Sequence, residues 1–358
     1  DDPVIEINIT PNRGDCLSVR GVARDLAAAG LGKLKENLLI KNIEGTFNSP
    51  VQWEKDFTGD EEYICPGVAG RYFKNVTNKE SPAWLQQRLK AIGLRPISAL
   101  VDITNYITYD LGRPLHVYDA DKISGNLKMR YAKEKENCLT LDEENRECTK
   151  DMIVISDDKQ LHGIGGVMGG FDSGCSVNTK NVFLETALFD PISVTKTGRH
   201  LKLQSDARYR FERGIDPTSI HWGVQAATKM ILDLCGGEAS KPVQTSILED
   251  TQHTFDFNTD KIKLLGGVDV PNDKQKSILE SLGFVVLEND NIFNITIPSF
   301  RPDIEGEADI VEEILRIYGF NQIPLTDVSD YTNKKAVLNS ELKSLYKIKR
   351  AIANTGYV

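Results

Sequence analysis

Residues 161–174 read LHGIGGVMGGFDSG, six glycines in fourteen positions. A glycine run of that density limits what the surrounding chain can become. Lacking a Cβ, glycine takes positive φ and lets the backbone come close to a neighbour or a ligand. Two nucleotide-binding patterns fail on inspection. Gly165 and Gly170 have P-loop spacing, but Phe171 stands where the lysine belongs, and Met168 occupies the third glycine position of a dinucleotide fingerprint begun by Gly163 and Gly165. The spacing predicts tight turns between strands, with a ligand cradle as the alternative.

The chain has 358 residues, enough for two or three cores, with 40% hydrophobic and 27% charged residues. No apolar run approaches a membrane span, so no membrane partner is expected. Six cysteines (Cys16, Cys65, Cys138, Cys148, Cys175, Cys235) form no C-x-x-C pair, and no two of the five histidines stand at i, i+4. Both facts point to reduced thiols in a cytoplasmic protein without a zinc site. The net charge of −9 has the wrong sign for a surface that grips nucleic acid throughout. One segment runs against it: Lys196, Arg199, Lys202, Arg208, Arg210 and Arg213 face only Asp206 and Glu212. Such a stripe either tracks phosphates or is a solvated face.

Periodicity divides the chain. VIEINI alternates as a strand, TPNRGD turns, and LSVRGVARDLAAAG has an apolar helical face. SPAWLQQRLKAIGL predicts a helix with Ser81 as N-cap and Pro82 at its first position. ALVDITNYITYDLG, LKMRYA, DMIVIS and NVFLETALF read as strands or strand–helix joins, and IHWGVQAATKMILDLCGG as an amphipathic helix with a glycine stop. From 253 to 325 the pattern is helix, helix, hairpin turning at Asn289–Asn291, then helix. The expected class is α+β and multidomain, with domains at 1–45, 61–240, 253–325 and 326–358. The opening DDPVIEIN and the closing helical face of Leu338, Leu342, Leu345, Ile348 and Ile352 read as the ends of a piece cut from a longer polypeptide.

Two groups of polar residues are candidates for chemistry. On the helix Glu305–Tyr318, Asp309, Glu312 and Glu313 share one face at i, i+3 and i+4, and Asp303 precedes it. Four carboxylates suit Mg²⁺, while a solvated acidic face is the plainer reading. In the larger domain Glu185 follows the apolar run VFL, and a buried carboxylate needs a partner, for which Arg95 is the expectation. His116, between Leu115 and Val117, reads as a core histidine. No G-x-S-x-G elbow is present, which leaves hydrolysis by a positioned water as the accessible chemistry.

TPNRGDCLSVRGVARDLAA, DITNYITYDLGRPLHVYDADKI, GIGGVMGG, SDARYRFERGIDP and SFRPDIEGEADIVEEILRIYGFNQIP occur in this order. Together they resemble the beta subunits of bacterial phenylalanyl-tRNA synthetases over essentially the whole chain. The resemblance implies that residues 1–45 are the second half of a split N-terminal domain and that 61–240 form a mixed α/β editing domain hydrolysing mischarged Tyr-tRNA(Phe). It further implies a winged-helix-like module at 253–325 and, at 326–358, the start of a catalytic-like domain that packs on an alpha subunit.

By the same resemblance, Arg95, Thr104, Asn105, Pro114, His116, Gly166, Gly169, Glu185, Ser205 and Ala207 line the editing pocket, with serine at 205 where threonine is usual. His116, Asn105 and Glu185 carry the catalytic and specificity roles. Asp303, Asp309, Glu312 and Glu313 hold a magnesium ion shared with the alpha subunit. The implied assembly is an alpha2beta2 heterotetramer that binds tRNA(Phe) and uses ATP for aminoacylation, with no ATP expected on this chain. The competing expectation is a non-catalytic scaffold that holds the alpha subunit and tRNA.

Overall fold

The computed structural model describes residues 3–37, 39–246, 253–325 and 338–357. It separates into two units, Asp1–Tyr318 and Gly319–Val358. Within the first, α+β architecture is built on the helix α1 (Val19–Ala28), two five-stranded sheets, one three-stranded sheet and a two-stranded ribbon of β5 (Glu136–Leu139) and β6 (Asn145–Cys148).

One sheet runs β1 (Trp53–Lys55), β4 (Leu127–Tyr131), β7 (Ile153–Ser156), β8 (Leu161–Ile164) and β9 (Met168–Gly169). The glycine run therefore makes the tight β8–β9 hairpin, as its composition predicts. The other sheet runs β11 (Glu238–Ala239), β2 (Gly67–Lys74), β10 (Val182–Ala187) and β3 (His116–Asp119), with β12 (Val243–Ser246) also paired to β2. Every residue of β10 is buried because both faces of this sheet are covered. Phe183 and Ala187 pack toward the first sheet with Tyr118, Ile153 and Phe189. Val182 and Leu184 turn the other way, against α2 (Ala83–Ala91), α3 (Ala99–Leu111) and α6 (Ser219–Cys235). Period-two alternation thus puts Glu185 on the side facing the first sheet.

Three sequence expectations are corrected. VIEINI forms no strand: Val4, Ile5 and Ile7 are exposed, and no strand among the described residues pairs with them, as a strand requires. ALVDITNYITYDL is the helix α3, stopped by Gly112 in the left-handed region. Its β-branched residues are buried against α6 and α2, and tertiary packing overrides their strand propensity. Ser81 does not cap α2, whose N-cap is Pro82; its hydroxyl donates instead to Asp102.

The module from 254 onward adds a strand the periodicity did not show, β13 (Thr254–Asn258). It pairs with β15 (Ile292–Thr296), which also pairs β14 (Val285–Asn289). Two helices, Lys261–Gly266 and Asn272–Ser281, precede the hairpin, and the helix Glu307–Tyr318 follows it. In the second unit, the helix Ser340–Asn354 is capped by Asn339, whose side chain accepts from the Leu342 amide. Leu342, Leu345, Ile348 and Ile352 are exposed on it. Residues 326–337 of the expected fourth domain lie outside the described residues.

Candidate functional site

β3 and β10 pair antiparallel with His116 directly opposite Glu185. Directly opposed residues share a sheet face, and so do residues two apart on one strand, so His116, Tyr118 and Glu185 converge. They line a small pocket that opens to solvent. Pro114, Met168, Phe189 and Phe211 complete its apolar wall, with Gly166 and Gly169 supplied by the β8–β9 turn.

Glu185 is 7% exposed. One carboxylate oxygen accepts from the Tyr118 hydroxyl, and the other makes no hydrogen bond among the described residues. Burial pushes its carboxyl up to about 7, only partly opposed by the Tyr118 hydrogen bond and the charge of Arg113. Arg113, fully buried, is thus the nearby cation in place of the expected Arg95, which is exposed. Arg113 donates to the Ala187 carbonyl at 2.6 Å and forms no ion pair with Glu185. The Tyr118 phenol is raised well above its ordinary value by burial and by the Glu185 charge.

His116 stacks edge-on against Tyr118, centroids 4.5 Å apart. Its Nε2 is shut off from solvent and has no partner. Burial, with a contribution from His162, lowers the imidazole to about 4, so it is neutral at pH 7. A Cβ on Gly169 would fall 2.3 Å from the His116 ring, so only glycine lets the turn lie against this imidazole. Gly166 sits at φ +69°. Its neighbours Gly165 and Val167 donate to the Ile153 and Ile164 carbonyls. The Gly166 N–H makes no hydrogen bond among the described residues, which leaves a donor at the pocket edge.

Of the sequence candidates, Pro114, His116, Gly166, Gly169, Glu185 and Ala207 meet in this pocket. Ser205 is adjacent: it caps α5 (Asp206–Phe211) by accepting from the Arg208 amide, and its hydroxyl donates to the Val167 carbonyl of the glycine turn. Arg95, Thr104 and Asn105 are not part of the lining. Thr104 is buried on α3, donating to the Val101 carbonyl, and Asn105 is half-buried on the same helix. Sequence reasoning missed Tyr118, since a tyrosine inside LHVYDA reads as core. Only its position two residues after His116 signalled a shared face.

The four acidic candidates do not converge. Arg301 holds Asp303 by a two-pronged ion pair at 2.8 and 2.9 Å, and its remaining nitrogen donates to Glu313 at 2.6 Å. Arg316 also donates to Glu313. Burial works against the Glu313 charge, yet the hydrogen bonds from Arg316 and Arg301 hold its carboxyl below the usual range. Asp309 accepts from the Glu305 and Gly306 amides at the start of its helix, and Glu312 is exposed. Among the described residues, no group of three or more His, Cys, Asp or Glu is arranged to hold a metal. Asp303, Asp309 and Glu313 are held by guanidiniums and amides, while Glu312 is exposed and has no such partner among the described residues, so the chain by itself does not gather them into the oxygen cluster Mg²⁺ takes. The network instead reaches residues 13–25: Arg316 pairs with Asp25, and Arg13 with Asp15 and Asp25.

Two domain families place this architecture. Residues 64–236 match the B3/4 domain and 255–320 the tRNA synthetase B5 domain, which defines a tRNA-synthetase chain. Phenylalanine–tRNA ligase beta subunits align along it. That of Bradyrhizobium diazoefficiens is 44% identical over 100% of this chain and 44% of its own length. That of Mesorhizobium japonicum is 47% identical over 99% and 44%, and that of Brucella suis 49% over 90% and 40%. The chain belongs to the phenylalanine–tRNA ligase beta-subunit family and spans about 44% of the length of these relatives. A crystal structure of an N-terminal fragment of the Pyrococcus horikoshii phenylalanyl-tRNA synthetase beta subunit aligns over 86% of this chain and 84% of that one. Its TM-score is 0.44 at 18% identity, too distant a likeness to define more. No helix among the described residues is long and apolar enough to cross a membrane.

Proposed function

We propose that the pocket between β3, β10 and the β8–β9 turn hydrolyses the ester joining tyrosine to tRNA(Phe). The observation that supports this most is the Glu185 oxygen that accepts no hydrogen bond among the described residues, in a pocket walled mostly by apolar side chains. A tyrosine side chain entering the pocket donates its hydroxyl to that oxygen. Phenylalanine leaves that second oxygen without a partner, at about 1–3 kcal/mol for an unmade hydrogen bond to a buried acceptor. A synthetic pocket shaped for phenylalanine rejects an added hydroxyl only weakly, whereas a site built to bind the hydroxyl strongly rejects its absence.

The Gly166 N–H is the donor for the ester carbonyl as it gains negative charge. Neutral His116 orients the attacking water through a ring nitrogen turned toward the pocket. An imidazole near 4 is a weak base, so it positions the water rather than holding its proton through the reaction. We assign this role to His116 alone, since Asn105 stands outside the lining. Aminoacylation with ATP, an alpha-subunit partner in an alpha2beta2 assembly, tRNA(Phe) binding and a cytoplasmic setting follow from the family and are part of the same proposal. Magnesium use follows from the family in the same way; on this chain Asp303 and Glu313 are paired with arginines, which leaves Glu312 as the exposed carboxylate of the four.

The test is deacylation of Tyr-tRNA(Phe) by the chain and by His116→Ala. Loss of turnover with RNA binding retained supports the water-orienting role. Full turnover in the variant removes it.

A further inference from the structure

The basic stripe of residues 196–213 is only in part a solvated face: Lys196, Arg199 and Lys202 are exposed, while Arg208 and Arg210 are buried. It folds as α4 (Pro191–His200), a turn, and α5. Between them lies an open cleft bordered by Arg199, Lys202, Gln204, Arg208, Glu212 and Arg213. Four cations there face a single carboxylate, Glu212.

Two of the cations are built in. A Cβ at Gly198 would come 2.2 Å from Arg208 Nε, so glycine in α4 lets this guanidinium lie flat against the helix. Arg208 also donates to the Leu203 carbonyl. Its Nε is 3.1 Å from Glu212 but out of line for a hydrogen bond, and remains an unpartnered buried donor. Arg213 is fixed by Glu212 at 2.7 Å and by stacking at 3.8 Å on the Tyr209 ring, and its Nε is likewise buried and unpartnered. The other two cations, Arg199 and Lys202, are exposed and form no ion pair among the described residues. Stability alone gives no reason to gather them, since like charges repel and the exposed pair neutralises nothing.

The cleft is joined to the pocket by one short helix. Ala207 and Phe211 of α5 line the pocket, while Arg208 of the same helix and Glu212 at its C-cap border the cleft. We propose that this cleft binds consecutive phosphates of the RNA strand whose 3′ end carries the amino acid into the pocket. The inference rests on the pocket reading above. Fixed guanidiniums give two-pronged phosphate contacts, and Arg199 and Lys202 add charge along an open path. An open cleft flanked by separate cations suits a chain of phosphates better than one enclosed anion.

The experiment measures binding of a tRNA(Phe) transcript, and separately of inorganic phosphate, to the 358-residue chain and to Arg199→Glu/Lys202→Glu across 50–300 mM salt. Unfolding transitions are recorded on both proteins to show that the variant is folded. The expected result is transcript binding weakened about tenfold or more at 0.1 M salt. The slope of log K against log salt should become shallower by about 1.4, at about 0.7 per lost single-strand contact. Binding with unchanged affinity and slope, no wild-type binding at all, or saturation by free phosphate at equal affinity would each overturn the proposal. Hydrolysis of the phosphate-free ester 3′-tyrosyl-adenosine reports on the pocket alone. Its absence in the wild-type chain counts against the pocket reading, while the transcript measurement still decides the cleft.

Discussion

Glu185 and Glu313 are both buried carboxylates with an arginine nearby, and they end in opposite states. Glu313 sits among Arg301, Arg316 and, at 3.8 Å, Arg13; its charge is stabilised and its carboxyl held low. Glu185 has one tyrosine hydroxyl, a cation too far away to form an ion pair, and a carboxyl raised to about 7. A saturated carboxylate ties segments together. An under-satisfied one costs the fold free energy and offers a ligand an open acceptor.

The contrast is sharpest in stability. Glu313→Ala leaves two buried guanidiniums short of their counter-charge and should lower unfolding stability by about 3–5 kcal/mol. Urea denaturation followed by far-UV circular dichroism would show it, and a loss below 1 kcal/mol would place Glu313 with the dispensable ion pairs. The second effect is on pH dependence. Glu185 is raised from 4.5 to about 7, so the native state binds the extra proton between those values, and this group's contribution falls as pH rises from 4.5 to 7. His116 is lowered from 6.5 to about 4, so the unfolded state binds the extra proton, and its contribution falls as pH drops from 6.5 to 4. Each is worth about 3 kcal/mol, and over pH 4.5–6.5 they oppose one another. Denaturation between pH 4 and 8 should therefore show stability falling toward acid in Glu185→Gln and falling toward neutral pH in His116→Gln. Parallel curves for the two variants would break the assignment.

Gly169→Ala is the next smaller change, about 1–3 kcal/mol of overpacking against the His116 ring. It should also slow ester hydrolysis, measurable as turnover of tyrosyl-adenosine. The smallest effect is a null one: removing Mg²⁺ with a chelator should shift the melting temperature of the chain negligibly, because arginines already neutralise Asp303 and Glu313. A shift of several degrees would show that the acidic group rearranges around metal.

Much of this was readable from sequence where local signals agree with packing. The hairpin turning at 289–291, the helix 219–235 with its glycine stop and the β8–β9 turn each combine a period with a matching terminator. VIEINI failed because alternation marks a surface that fits a sheet, and only a partner makes a strand. The β-branched residues of ALVDITNYITYDL also suggest a strand, but it packs as a helix against its neighbour α2 and against α6, about 120 residues away. In the pocket, Glu185 could be singled out as a carboxylate inside an apolar run. Its companion Tyr118 and the cation Arg113 could not, because their proximity depends on the register of β3 against β10. Asp309, Glu312 and Glu313 are spaced to share a helical face, yet Glu313 is buried and Glu312 exposed, because Arg301 and Arg316, both visible in the sequence, draw Glu313 inward.

The most direct test is the rate at which the chain releases tyrosine from Tyr-tRNA(Phe) and phenylalanine from Phe-tRNA(Phe), measured for wild type and Glu185→Gln at pH 8, where Glu185 is ionised. Faster release of tyrosine, with the preference lost in the variant, is the expected result. Equal rates for the two esters in the wild type, or a preference that survives in Glu185→Gln, would contradict the assignment of Glu185 as the group that reads the hydroxyl.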